Sequence, residues 1–348
     1  MNRQHGHEND DVSYSCSMTE RRLLIALALV VSLASGDALR GSAALAPPDA
    51  HNSSRTALFW LEPYANLTSV AAYKAAWAQF GANARPGYLM AGSAYEVAAN
   101  GSLVFASRST GGQLDHGRLM EAYGFAALRA LDLRASAMVY LTRPAAIAAL
   151  FARPQSFVRQ LLAKAAAHGL AGFDLDFEPA MTFDDDVPAG YGEGLVAFLG
   201  TVGAALREKG LLLTLDIGSC GSSGGSSSSS SNSSSSSSSS SSGGVFPCSA
   251  APAGLLQANT MSTFPVTSLA SFEATYRGMG QEMGELWAPG FEPANLQADG
   301  GAAFKAITQF MAKSGVRHLS TWQVHECDAG AQPAWLFDAV NAFLDAPQ

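Results

Sequence analysis

One short segment of the chain, GFDLDFEP at residues 172–179, carries an acidic side chain at every second position. Side chains of a β-strand alternate between its two faces, so Asp174, Asp176 and Glu178 share one face and the intervening Phe and Leu side chains take the other. Three carboxyl groups on one face of a buried strand are costly unless they are paired or protonated. We therefore expect this row to serve chemistry rather than stability.

Crowded carboxyl groups differ in pKa. The pKa of one group is raised, so that it keeps its proton near neutral pH, while its neighbour stays ionised. A carboxyl group that keeps its proton can act as the general acid at a glycosidic oxygen. Glu178 is last in the row and is the candidate acid, with Asp176 as the ionised partner and Asp174 as the deeper, hydrogen-bonded support. Two other interpretations stay open: an acidic cluster paired with Arg or Lys, and a metal site. No His-x-His pattern accompanies the row, so no metal or cofactor is predicted.

Aromatic and polar residues near the ends of other β-like segments could bind a sugar. Sugar sites combine flat aromatic faces for the C–H surface of the ring with polar groups for its hydroxyls. The residues that fit are Trp60, Tyr140, Asp216, Trp287, Trp322 and Gln323. Core packing is the competing interpretation for each aromatic residue, and Trp60 and Trp322 are the strongest candidates. Asp216 ends the run LLLTLD, so we expect it beside the acidic strand, sharing a hydrogen bond with Asp176 or supporting it.

These residues need a scaffold that brings many strand ends together. Short β-like runs alternate with helix-like segments from residue 56 onward, and several runs are continuously apolar, as strands covered on both faces should be. The predicted strands are 57–61, 88–91, 135–141, 172–177, 211–217, 258–263, 285–288 and 318–322. Eight strands, each followed by a helix, predict an α/β fold of the (β/α)8 TIM-barrel class, with functional groups at the carboxyl ends of the strands. A doubly wound open sheet is the alternative.

The segment GFDLDFE resembles the fourth-strand signature of the family 18 glycoside hydrolases, the chitinases and related endo-N-acetylglucosaminidases. That signature is Asp-Gly-x-Asp-x-Asp-x-Glu on a (β/α)8 barrel. In the family the final Glu protonates the leaving group, and the preceding Asp orients the substrate's acetamido group, which itself attacks the anomeric carbon. The resemblance implies these roles for Glu178 and Asp176, with Asp174 as the Asp two residues earlier. Trp322, in VRHLSTWQ, is similar to the eighth-strand Trp that forms the floor of the sugar site.

The sequence departs from the family pattern at two positions. The family's first Asp falls at Ala171, and its sixth-strand Met-x-Tyr pattern reads MSTF at residues 261–264, with Thr263 in place of a Tyr that helps position the acetamido group. The resemblance implies a retaining hydrolase of β-linked, N-acetylglucosamine-containing glycans. A catalytically silent, lectin-like barrel is the alternative, which the two departures favour and the intact Glu178 opposes. A barrel hydrolase of another family with a convergent strand is a third interpretation.

Composition narrows the choice of partners. The chain has 348 residues with 21 Lys and Arg against 29 Asp and Glu, a formal net charge of −8. This balance argues against nucleic acid and anionic membrane surfaces, since both need a basic footprint. No apolar run of about 20 residues follows the N-terminal region, which excludes a multi-span membrane protein. We expect a monomer whose partner is an oligosaccharide or polysaccharide.

The N-terminal region indicates the secretory pathway. The apolar run LLIALALVVSLA at 23–34 follows two arginines and precedes small residues, as in a signal peptide, and Met18 is an alternative start. Sequons at Asn52, Asn66, Asn100 and Asn232 agree with this route. We expect a signal peptide at 1–36, a linker at 37–54 and the barrel at 55–348. The protein would be secreted or lumenal, without stable membrane association once the signal is removed; an N-terminal signal anchor is the alternative.

Residues 221–245 form a Ser- and Gly-rich tract. These residues cannot bury enough apolar surface to offset the entropy of ordering them, so we predict a disordered loop insertion. Cys220 and Cys248 flank the tract, and a disulfide between them would close the loop at its base in an oxidising compartment. A pair that includes Cys327 is the alternative.

Overall fold

The structure is a computed structural model that describes residues 55–64, 67–106, 116–141, 143–177, 190–218, 220–221, 246–322 and 332–347. Its strands are β1 (Thr56–Leu61), β2 (Tyr88–Val97), β3 (Leu103–Phe105), β4 (Ala135–Leu141), β5 (Gly172–Phe177), β6 (Leu212–Ile217), β7 (Cys220–Gly221), β8 (Phe246–Pro247), β9 (Gln257–Thr260), β10 (Trp287–Phe291) and β11 (His318–Trp322). Its helices are α1 (Val70–Ala76), α2 (Ala78–Asn83), α3 (116–130), α4 (Pro144–Ala152), α5 (Pro154–His168), α6 (Tyr191–Glu208), α7 (269–283), α8 (Ala302–Lys313) and α9 (Ala334–Leu344). Two of these, α3 and α7, contain a π-helical turn, Met120–Gly124 and Tyr276–Gly280 respectively.

Parallel strands close into a barrel in the order β1, β2, β4, β5, β6, β9, β10, β11, and β11 pairs back with β1. The helices surround this barrel, and β3 adds an antiparallel hairpin to β2. The predicted (β/α)8 TIM barrel is thereby confirmed, and the open sheet is not formed.

The two faces of each strand bury different side chains, and β1 shows the rule. Ala57, Phe59 and Leu61 belong to the large hydrophobic core between strands and helices. Leu58 and Trp60 belong to a smaller cluster inside the barrel. The period of two along a strand therefore separates a helix-facing layer from an interior layer, and the interior layer is where polar side chains of neighbouring strands meet.

Local signals at the end of α5 position the acidic strand. The helix begins at Pro154 and ends at Gly169, whose φ of 61° is left-handed and favours glycine. The amide of Leu170 then donates to Ala165 O at 3.1 Å, and that of Ala171 to Ala135 O at 2.7 Å. The chain thus leaves the helix and joins β4 within two residues, which fixes where β5 starts.

Several elements differ from the sequence prediction. The strand predicted at 88–91 extends to Val97. The strand predicted at 258–263 ends at Thr260, because Met261–Thr263 forms a 3-10 helix. The strand predicted at 285–288 instead spans Trp287–Phe291. Helix α4 was not predicted at all.

The predicted signal peptide and linker lie outside the described residues, as do residues 222–245 of the serine tract. Within the part of the chain that is described, no helix is both long and apolar enough to cross a membrane.

Candidate active site

The acidic strand β5 lies between β4 and β6, and its carboxyl groups face the barrel interior. Asp174 is fully buried and Asp176 is 6% exposed. Asp176 pairs in register with Tyr140 on β4 and with Asp216 on β6, so these three side chains lie at one level. Glu178, the candidate acid, directly follows β5 but lies outside the described residues.

Asp174 and Asp216 form a buried carboxyl pair held by neutral donors. The indole nitrogen of Trp60 lies 2.9 Å from Asp174 Oδ2 and 2.8 Å from Asp216 Oδ2. Thr214 Oγ1 donates to Asp174 Oδ1, and Asn259 Nδ2 donates to Asp216 Oδ1 at 2.6 Å. These bonds compensate the burial of the pair without an arginine or lysine.

The environment of the pair keeps a proton on it. Burial raises the pKa of Asp216 well above its usual range, the charges of Asp174 and Asp176 raise it further, and the hydrogen bond from Asn259 opposes this. Burial raises the pKa of Asp174 as well, against hydrogen bonds from Asp216, Thr214 and Trp60. The two carboxyl groups therefore share one proton, since two adjacent buried carboxylates cannot both be ionised.

A cavity of about 220 Å³ opens above this pair. Its walls are Trp60, Asp176, Asp216, Met261, Phe264, Glu292 and Trp322. The Trp60 ring lies 5.8 Å from the Trp322 ring and 6.0 Å from the Phe264 ring. Contiguous aromatic faces beside carboxyl groups are the combination that sugar rings require.

Thr263 does not face this cavity. It is fully buried, and its hydroxyl lies 2.8 Å from Thr260 O and 2.6 Å from Gly290 O. The next residue, Phe264, forms the cavity wall instead, because the 3-10 helix breaks the two-residue alternation of β9. The wall at this position therefore has no side-chain hydroxyl.

The structure places the other sequence-predicted residues as follows. Trp60 and Trp322 line the cavity together with Asp216. Tyr140 is buried inside the barrel, with its hydroxyl 2.5 Å from Ser93 Oγ. Gln323 directly follows β11 and lies outside the described residues.

Trp287 requires a correction. Its ring stacks on Phe272 at 5.6 Å in the helix-facing core, and its Nε1 donates to Thr260 Oγ1 at 2.9 Å. The sequence pattern put Trp287 near the carboxyl end of its strand, whereas β10 begins at Trp287 and this residue points outward. It is a core residue and takes no part in the cavity.

Sequence reasoning also missed Asn259, Met261 and Phe264. The signal for Asn259 was present, because β9 has the sequence QANT with polar amides at Gln257 and Asn259, two residues apart on one face. Such a pair in a strand of a barrel points to an interior polar network. Among the described residues, no group of three or more His, Cys, Asp or Glu side chains is arranged to hold a metal ion.

Comparison with solved structures agrees with this fold. A chitinase from Chromobacterium violaceum has a TM-score of 0.57 and 14% identity over 84% of this chain and 100% of that chain. The spore cortex-lytic enzyme SleL of Bacillus megaterium has a TM-score of 0.55 and 11% identity over 83% and 75%. A GH18 chitinase from the chitin utilization locus of Flavobacterium johnsoniae has a TM-score of 0.52 and 11% identity over 84% and 94%.

No protein-family model matches the sequence, and no curated protein matches it. The resemblance to family 18 is thus confirmed at the level of the fold, which this chain shares with chitinases.

Proposed function

We propose that the chain is a glycoside hydrolase of the family 18 type that cleaves β-linked, N-acetylglucosamine-containing glycans. The observation that carries the proposal is that Asp174 and Asp176 face the barrel interior on β5 and that Asp176 lines an aromatic cavity, with Glu178 two positions further along the sequence. The shared fold with chitinases supports the same conclusion.

In this proposal Glu178 is the general acid and base. It protonates the glycosidic oxygen as the bond to the anomeric carbon breaks, and it later removes a proton from the water that completes hydrolysis. Same-face neighbours on a strand are about 7 Å apart, whereas a protein nucleophile and its acid are about 5–5.5 Å apart. This spacing favours Asp176 as an orienting group and the substrate acetamido oxygen as the nucleophile, with overall retention.

The Asp174–Asp216 pair supports Asp176 from below. Because the pair keeps one proton, it carries less negative charge than two free carboxylates, and Asp176 can stay ionised above it. Asp176 then accepts the acetamido N–H and holds the carbonyl oxygen toward the anomeric carbon.

A lectin-like barrel is the second candidate, and one observation favours it. Phe264 gives the cavity wall no hydroxyl where a donor to the acetamido oxygen would help the reaction. A glycan array run beside a cleavage assay on chitooligosaccharides and N-glycans separates the two. Binding with release of shorter sugars supports the hydrolase, and binding without turnover supports the lectin.

We further propose that the protein enters the secretory pathway, on the strength of the apolar run at 23–34 and the four sequons. Expression of the full chain in a eukaryotic host tests this. A shift to lower mass after glycan removal is expected, and recovery of unglycosylated protein from the cytosol would contradict it.

A further inference from the structure

A line of buried polar side chains runs from the amino ends of the strands to the carboxyl pair. Thr56 Oγ1 lies 2.6 Å from His318 Nδ1 and 2.6 Å from Gln257 Oε1. Gln257 Nε2 donates to Asn259 Oδ1 at 2.6 Å, and Asn259 Nδ2 donates to Asp216 Oδ1 at 2.6 Å. None of the five side chains belongs to a residue more than 6% exposed. We call this line the polar relay.

Every donor in the polar relay points toward Asp216. The Thr56 hydroxyl has one hydrogen, and Gln257 Oε1 can only accept it. His318 Nδ1 therefore carries a hydrogen and donates to Thr56 Oγ1. Burial lowers the pKa of His318 to about 3, so its ring is neutral and the second nitrogen is unprotonated. All hydrogen bonds of the polar relay therefore run in one direction, from the Nδ1–H tautomer of His318 to Asp216.

We infer that His318, Thr56 and Gln257 are positioning residues that hold the Asn259 amide with its NH2 group on Asp216, and so keep a donor on the carboxyl pair beneath Asp176. Without them the Asn259 amide is free to turn its carbonyl oxygen toward Asp216. A donor favours the ionised form of a carboxyl group and an acceptor disfavours it. Loss of the relay should therefore make the pair hold its proton to higher pH.

The surroundings of the pair leave this effect measurable. The titratable groups that face it from the described elements are Asp176 on β5 and Tyr140 on β4, with Glu292 across the cavity. None is part of the relay, so a change at Thr56 leaves them in place. The catalytic consequence rests on the proposed function, whereas the titration of the pair does not.

Thr56→Val tests the inference, because it removes the hydroxyl and keeps the shape. Thr321→Val is the matched control: Thr321 is fully buried on β11, and its hydroxyl makes no hydrogen bond within the described residues. Thr56→Ser keeps a hydroxyl at this position and should retain the wild-type pH dependence. We expect Thr56→Val to move the alkaline limb of the kcat/KM profile up by about one pH unit, the effect of one lost donor, because the pair then keeps to higher pH the proton that lets Asp176 stay ionised. In Thr321→Val and Thr56→Ser, this limb of the kcat/KM profile should lie at the same pH as in the wild type.

A second readout does not depend on turnover. The indole N–H of Trp60 contacts both carboxyl groups, so its NMR shift follows their titration, and Trp60→Phe identifies the signal. Thr56→Val should raise the midpoint of that titration by a similar amount. If its midpoint equals those of the wild type and Thr321→Val, the inference is wrong. If the midpoint shifts but no glycan is cleaved by any variant, the relay stands and the proposed function fails.

His318 offers an independent variant in case Thr56→Val does not fold. Asn carries an NH2 group near the position of Nδ1–H, so His318→Asn should keep the wild-type Trp60 midpoint. His318→Leu removes the donor and should raise the midpoint. Equal midpoints in the two variants would overturn the inference.

Discussion

The indole nitrogen of Trp60 lies 2.8 Å from Oδ2 of Asp216, a hydrogen bond that joins residues 156 positions apart in the chain. The same nitrogen lies 2.9 Å from Asp174 Oδ2, so one donor serves two carboxyl groups. Its ring also forms part of the cavity wall beside Trp322. Trp60 thus links the buried charge of the site to the surface that would contact a sugar.

Trp60→Phe should destabilise the protein more at neutral pH than in acid. The substitution removes the indole donor from Oδ2 of both buried carboxyl groups, and leaving a buried acceptor unsatisfied typically costs about 1–3 kcal/mol. Loss of the donor raises the pKa of the pair further, and a carboxyl pKa that is higher in the folded than in the unfolded chain removes stability as pH rises above about 4. Urea unfolding at pH 4 and pH 7 measures this. An equal loss at both pH values would contradict the account.

Trp322→Ala and Trp287→Ala should behave oppositely. Trp322 is partly exposed on the cavity wall, so its loss should weaken glycan binding with a modest change in unfolding free energy. Trp287 is fully packed against Phe272, so its loss should cost about 3–5 kcal/mol, as for a deleted core aromatic. Calorimetric titration with chitooligosaccharide and thermal unfolding give the two readouts. A cost of that size at Trp322 would assign it to the core.

The buried neutral ring of His318 should make the free energy of unfolding fall as the pH is lowered below about 6.5. Burial lowers its pKa to about 3, while the unfolded chain takes up a proton near 6.5. Below pH 6.5 the unfolded state therefore binds more protons, and unfolding free energy falls by about 1.4 kcal/mol per pH unit until the folded pKa is reached. The contribution is complete above pH 6.5.

His318→Asn should lack this slope but keep the titration of the carboxyl pair. The difference between the unfolding free energies of the wild type and His318→Asn, measured from pH 7 to pH 4, isolates the histidine. Parallel curves would show that His318 is not buried in its neutral form.

Local pattern was enough to predict much of the barrel. The strands at 135–141, 172–177 and 318–322 have the bounds that their apolar runs predicted. The alternation of β5 placed Asp174 and Asp176 on one face, and the order of strands placed Asp216 beside them. These features depend on residues near one another in sequence or on the regular succession of strands.

Features that depend on distant partners were not predictable. The two bonds of Trp60 cross the barrel to β5 and β6, and no local pattern encodes that distance. The 3-10 helix after β9 shifted the cavity wall from Thr263 to Phe264. The predicted strand at 285–288 put Trp287 near the carboxyl end, whereas β10 begins at this residue, whose ring packs in the helix-facing core.

Cys220 and Cys248 should be joined to each other. Cys220 pairs in register with Phe246 in the β7–β8 ladder, and Cys248 is buried directly after β8. The β7–β8 pairing therefore brings the backbone at Cys220 near the backbone just before Cys248. Peptide mapping without reductant should recover them as one linked pair, and a linked peptide that contains Cys327 would contradict this assignment.

The turnover of Glu178→Gln on a chitooligosaccharide that the wild type cleaves tests the central claim most directly. Gln keeps the shape and hydrogen bonding of the side chain but has no proton to transfer, so the variant should fold, bind the sugar and lose about 10²–10⁴ in kcat. Circular dichroism and calorimetric titration serve as controls for folding and binding. A kcat equal to that of the wild type would show that Glu178 is not the acid and that the proposed mechanism is wrong.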